Sequence, residues 1–241
     1  PSRGNARGIA RQARGKQMTV SGRKLVLGPG LKVVLAALAL GLALSSFPKS
    51  HTAFAHPLGN FTVNRYTRIE LYSNLIRLRY VLDMAEIPTF QEMDEIDLNG
   101  DGLASEEEKR QYANEKVEQL RGKLRLTVNG KALGSKITPQ SSELVFLPGQ
   151  AGLQILHLST WFEAPLAPQA KSQSYSLFYS DDNYSNRIGW KEIVVRPSSE
   201  VSRLQSTVSS VDQRIELLNY PQDLLKSPLD VRQAQLDFEI S

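Results

Sequence analysis

Asp97, Asn99, Asp101, Ser105 and Glu108 put side-chain oxygens at the first, third, fifth, ninth and twelfth places of one stretch, residues 97–108. Gly102 holds the sixth place and Leu103 the seventh. A hard cation such as calcium takes about six to eight oxygen ligands, so the chain must curl its own oxygens around one point. Asp97, Asn99 and Asp101 can supply the first half of such a shell. Gly102 permits the sharp turn that follows, because positive φ meets no Cβ there. Leu103 then offers its backbone carbonyl, Ser105 a direct or water-bridged ligand, and Glu108 both carboxylate oxygens. Eight acidic residues and no basic one lie between Glu92 and Glu108, a repulsion that a bound cation relieves. The competing reading is a solvated acidic turn in which Asp97 merely caps a helix.

Positioning these oxygens requires a helix on each side. Met93 and Ile96 stand four residues and one residue before the loop, where an entering helix buries apolar side chains. Ser105 to about Leu120 is rich in Glu, Lys, Gln and Ala, all good helix formers. The whole unit, expected over residues 85–121, is similar to an EF-hand of the calcium-binding proteins. Ala104 stands at the eighth place, where Ile, Val or Leu usually pairs with a second loop, and the chain has no second loop of this pattern. The resemblance therefore implies a fixed, structural or low-affinity calcium site rather than a switch.

Around this unit the chain alternates. Phe61 to Leu71 and Leu75 to Leu82 show period two, with Ser73-Asn74 as the turn between them. Lys123 to Val128 runs into Asn129-Gly130, a strong hairpin signal, and on to Ala132-Leu133. Glu143–Leu147, Leu153–Phe162, Tyr175–Tyr179 and Ile188–Val195 are further strands. The expected fold is mainly β with an α insertion: an antiparallel immunoglobulin-like sandwich over residues 56–199 carrying the single helix–loop–helix. Residues 200–241 are Ser- and Gln-rich, broken by Pro221 and Pro228, and read as a linker or C-terminal tail.

Residues 1–55 differ in kind. They carry nine of the 29 Lys and Arg residues and none of the 25 acids. A twelve-residue apolar run, Val33 to Leu44, precedes Ala53-Phe54-Ala55. A basic segment, a short apolar segment and an A-x-A site make a signal peptide, with Met18 as its natural start and residues 1–17 as an overextended beginning. The domain that follows is expected to be exported, or membrane-anchored if the apolar segment stays attached. Without the leader the net charge of +4 becomes −5, so the basic character argues for no nucleic-acid partner. With no cysteine, the exported part must rely on its core.

Three dispersed stretches carry a further resemblance: His56-Pro57-Leu58-Gly59-Asn60-Phe61-Thr62-Val63-Asn64, Met84-Ala85-Glu86-Ile87-Pro88-Thr89 and Asn186-Arg187-Ile188-Gly189-Trp190-Lys191-Glu192-Ile193. They resemble the extracytoplasmic N-terminal region of bacterial membrane proteins of the nickel/cobalt transporter type. That implies a membrane transporter component as partner, although the chain has no transporter helices. No enzyme is indicated, since two histidines after the leader and no G-x-S-x-G turn give no nucleophile–base pair. Rival readings are a nickel, cobalt or copper delivery domain using His56, and a carbohydrate-binding or adhesion module using aromatic residues such as Trp190. Trp161, Trp190, Tyr175, Phe178 and Tyr179 are otherwise expected in the core, as is His157, while Asp181, Asp182 and Glu192 are the carboxylates that could pair.

Overall fold

Alternation builds the first hairpin. In β1 (Val63–Leu71) the residues Val63, Ile69 and Leu71 enter the main core, and in β2 (Leu75–Met84) Ile76, Leu78, Tyr80, Leu82 and Met84 do so. The two strands pair antiparallel from Val63–Met84 to Leu71–Ile76. The computed structural model describes residues 59–167, 174–213, 215–218 and 227–240, all within the unit Thr52–Ser241. The leader expected over residues 1–55 and the amine of His56 lie outside the described residues.

Two helices follow, α1 (Glu86–Ile96) and α2 (Glu106–Arg121), inside the stretch where the insertion was expected. The remaining strands are β3 (Leu124–Val128), β4 (Lys131–Ala132), β5 (Thr138–Pro148), β6 (Gln154–Pro165), β7 (Ser174–Asp181), β8 (Lys191–Pro197), β9 (Val201–Ser206) and β10 (Gln233–Ile240). They form two five-stranded sheets, in the orders β5-β6-β2-β1-β8 and β4-β3-β7-β10-β9. One hydrophobic cluster draws side chains from both sheets, with Ile96 of α1 and Tyr112, Ala113, Val117 and Leu120 of α2 joining it. The fold is thus mainly β with an inserted helical pair. Among the described residues, no helix is long and apolar enough to cross a membrane.

Three expectations need correction. The sheets are not wholly antiparallel: β8 runs parallel to β1, from Arg65–Lys191 to Leu71–Pro197. Residues 200–241 are no mere tail, because they supply β9 and β10, and β10 sits between β7 and β9. Ala234, Leu236 and Phe238 of β10 are buried, and the Phe238 ring stacks on Tyr175 at 5.2 Å. Trp161 and Phe178 also leave the core. On β6 and β7 their neighbours Phe162, Leu177 and Tyr179 take the inward positions, and period two turns Trp161 and Phe178 to the outer faces. There Trp161 receives Arg68, Arg77 and Arg79, with the Arg77 guanidinium 4.3 Å from its ring centre.

The outer face of the first sheet is covered in part. Leu217 packs over Tyr66, Val81, Trp190 and Val194. Glu216 beside it pairs with Arg68 and Arg79, and the Tyr66 hydroxyl donates to Asp212 at 2.9 Å. His157, expected as a packed residue, is buried on this face with its Nδ1 3.3 Å from Asp83.

Candidate metal centre

Ser105 starts α2 by closing a capping box: its hydroxyl accepts from the Glu108 N–H, while the Glu108 carboxylate accepts from the Ser105 N–H at 2.9 Å. The same Glu108 oxygen, Oε2, takes the Ser105 hydroxyl at 2.6 Å. The other, Oε1, takes the N–H groups of Leu98 at 3.0 Å and Asn99 at 3.3 Å. Glu108 therefore ties the last place of the loop to its second and third. The Ser105 hydroxyl foremost, and then these backbone N–H groups, hold its carboxyl below the usual carboxylate range.

Asp97 organises the other end. It is the C-cap of α1, and its Oδ1 accepts from Gly100 at 2.8 Å and Asp101 at 3.2 Å while Oδ2 accepts from Gly102 at 2.8 Å. Asn99 Oδ1 accepts from the Asp101 N–H, and Asp101 Oδ1 from the Leu103 N–H, each at 2.8 Å. Gly102 takes a φ of +80°, in the left-handed region that its sixth place demands.

The residues expected as ligands are thus gathered by one loop, Asp97 and Glu108 at its helix ends and Asn99, Asp101 and Leu103 exposed along it. Their carboxylates are turned onto loop N–H groups rather than onto one another. Among the described residues, no three of the His, Asp and Glu side chains converge as a ready metal-holding group. The donor set itself is all oxygen, which suits a hard cation.

What fixes the angle between the helices escaped the sequence reading. Glu92 on α1 accepts from the Tyr112 hydroxyl at 2.5 Å and the Lys116 ammonium at 2.7 Å, both on α2. Burial by itself lowers the pKa of Lys116, but the Glu92 hydrogen bond and the surrounding negative charge outweigh it and hold the ammonium above its ordinary value. The exit end of α2 is fastened too, since Asn183 donates to the Leu120 carbonyl. Asp181, Asp182 and Glu192 do not meet as a carboxylate pair. Asp181 binds Arg65 at 3.0 Å inside the domain, Asp182 reaches Arg125, and Glu192 accepts from the indole of Trp190 at 2.9 Å.

No protein-family profile and no curated protein matches this sequence.

Proposed function

We propose that residues 97–108 form a single EF-hand that binds calcium, and that the bound ion fastens the two helices to the β domain. The observation that carries this reading is the winding of the loop on Asp97, whose carboxylate gathers the N–H groups of Gly100, Asp101 and Gly102. That leaves the oxygens of Asn99, Asp101 and Glu108 within one short loop, between two helices already held by Glu92, Tyr112 and Lys116. Asp97, Asn99, Asp101, Leu103 and Ser105 would supply single oxygens to the ion and Glu108 two. A carboxylate offers about four acceptor sites, and Glu108 has four donors around it. Calcium must displace donors at Glu108, so the gain on binding is smaller than for an open site.

The role is structural and non-catalytic, and the body is an immunoglobulin-like sandwich. The basic leader and its A-x-A site support export, and the three stretches that resemble transporter-type membrane proteins support an outer or accessory domain of a metal transporter. Extracellular sites of this kind hold calcium with Kd of about 10⁻⁴–10⁻³ M.

The test is a calcium titration of the full chain followed by thermal melting. At free calcium ten times Kd, binding adds about 1.4 kcal/mol, a rise of about 3–6 °C for a domain this size. Asp97→Ala together with Glu108→Ala abolishes the rise. A melting curve of the unmutated chain that ignores calcium refutes the reading.

A further inference from the structure

Where β8 begins, residues 185–191 and 228–232 enclose a basic cleft of about 340 Å³. Its size falls in the range of small-molecule sites, about 300–1,000 Å³. Arg187, Lys191 and Arg232 line it against a single acid, Asp230, so the described lining carries a net charge of +2. Asp181 and Asp182 also act on Arg232, but Arg65 and Arg125 hold them in ion pairs of their own.

Backbone bonds fix both walls. The Val63 N–H donates to the Ile188 carbonyl at 2.9 Å, and the Trp190 N–H to Asn64 Oδ1 at 2.8 Å. A Cβ at Gly189 would come within 2.2 Å of the Val63 carbonyl oxygen, so only glycine lets this loop lie so close on β1. On the other wall the Lys191 N–H donates to the Leu229 carbonyl at 2.7 Å, and the Val231 N–H to the Lys191 carbonyl at 2.9 Å. The cations are thus held in place before any ligand arrives. Lys191 is the unusual member. Its side chain is only 5% exposed and its ammonium has three donors, yet its one acceptor among the described residues is Asp230 Oδ1 at 3.2 Å. Asp230 is shared: the same oxygen takes Arg232 Nε and the other takes Arg232 Nη2, both at 2.7 Å. A buried charge needs further hydrogen-bond partners to offset its lost hydration. Arg187, exposed at the rim, has no side-chain ion pair or hydrogen bond among the described residues.

We propose that this cleft binds a phosphate group. Such a group carries about −1.5 to −2 near neutral pH, which matches the +2 of the lining. Arg187 offers it a planar fork of donors, and Lys191 the donors that Asp230 leaves open. Ile188, 73% exposed, and Pro228 give the cleft an apolar lip for whatever carries the phosphate. Two sources present that chemistry, a soluble phosphate and the head group of an anionic lipid. The proposal stands apart from calcium binding, because none of these residues belongs to the loop 97–108.

The experiment is calorimetric titration of the full chain at neutral pH, without calcium, using inorganic phosphate and the singly charged acetate. Beside it runs sedimentation with phosphatidylcholine vesicles, with and without phosphatidic acid. Saturable phosphate binding at least about tenfold tighter than acetate marks a solute site. Capture only by the vesicles containing phosphatidic acid marks a head-group site. Arg187→Gln should weaken either about tenfold, as loss of a charge-assisted contact implies. Asp230→Asn should strengthen either about threefold, because it frees Lys191 and Arg232 for the ligand. The nine cations of residues 1–55 attract anions too, but neither variant alters them. If Asp230→Asn fails to fold, Arg187→Gln on the exposed rim decides alone. Acetate as tight as phosphate, no saturable binding of phosphate in either form, full affinity in Arg187→Gln, or weaker binding by a folded Asp230→Asn overturns the proposal. A lost calcium response with intact phosphate binding strikes only the calcium reading.

Discussion

The side-chain amide of Asn183 donates to the carbonyl oxygen of Leu120 at 3.0 Å, joining the loop after β7 to the last turn of α2. The Leu120 carbonyl already accepts from the Lys123 N–H at 3.1 Å, and Asn183 adds a second donor to it in a buried setting at the end of the helix. Its amide also donates to Asp181 Oδ1 at 2.8 Å. Asn183→Ala should therefore lower stability by about 1–3 kcal/mol, read from the denaturant midpoint. A variant as stable as the parent would show that the end of the helix is held by packing alone.

Glu108→Gln separates the two duties of Glu108. The amide keeps one acceptor oxygen for the capping box but loses the bonds made to the other, so stability without calcium should fall by about 1–3 kcal/mol. It cannot chelate as a carboxylate does, so the calcium-dependent rise in Tm should disappear. Thermal melting with calcium and with chelator gives both numbers from one sample.

Leu236→Ala probes the last strand. Leu236 is 0% exposed between Leu177 of β7 and Ser206 of β9. Truncating a side chain so placed costs about 2–5 kcal/mol. An uncoupled tail would give no loss in the same urea titration.

Arg65 and Asp181 respond unequally. Asp181 receives the Tyr80 hydroxyl at 3.1 Å and two Asn183 donors besides Arg65. Arg65, 2% exposed, has Nε and Nη2 without partners. Asp181→Asn strands the cation and should cost about 3–5 kcal/mol, whereas Arg65→Met removes it and should cost less than half of that. Equal losses in chemical unfolding would count against this asymmetry.

Acid reaches the end of the loop through Glu108. Glu108 is held below its ordinary 4.5 by Ser105 and backbone donors. Its bonds are fully present above that pH and are lost as pH falls through the lowered value. Amide exchange at Leu98, Asn99 and Ser105 should accelerate over this interval. Asp230 behaves alike: Arg232 chiefly, with Lys191, lowers its pKa from 3.8 to about 2, so its ion pairs last until pH approaches 2. Retained protection of the loop amides below the Glu108 transition would contradict the bonding described.

The loop and its two helices were legible because their signals are local. Asp, Asn, Gly and Glu at fixed spacing, a capping box and a run of helix formers all lie within 85–121. The Asn129-Gly130 turn and most strands were legible for the same reason, since period two needs only neighbours. β10 was not, because its apolar Ala234, Leu236 and Phe238 are spaced by Gln and Asp in a Ser- and Gln-rich stretch and find their partners more than fifty residues back. Asp181 read as a carboxylate that could pair with Asp182 or Glu192, yet it binds Arg65 across the core, and Asn183, two residues on, reaches the end of α2. Glu86 gave no sign of burial, since its enclosure comes from Gly149 and Gln150 on a distant turn. What sequence periodicity could not supply, in each case, was the identity of a remote neighbour.

The place of β10 between β7 and β9 also orders events in time. Until residues 233–240 have left the ribosome, β7 presents an unpaired edge on the side that β10 will fill. Nascent chains shorter than this can complete the first sheet, whose strands all lie before residue 198, but not the second. A growing chain thus passes through a half-closed stage with an adhesive border, and whatever shelters that border decides how much of it reaches the finished fold.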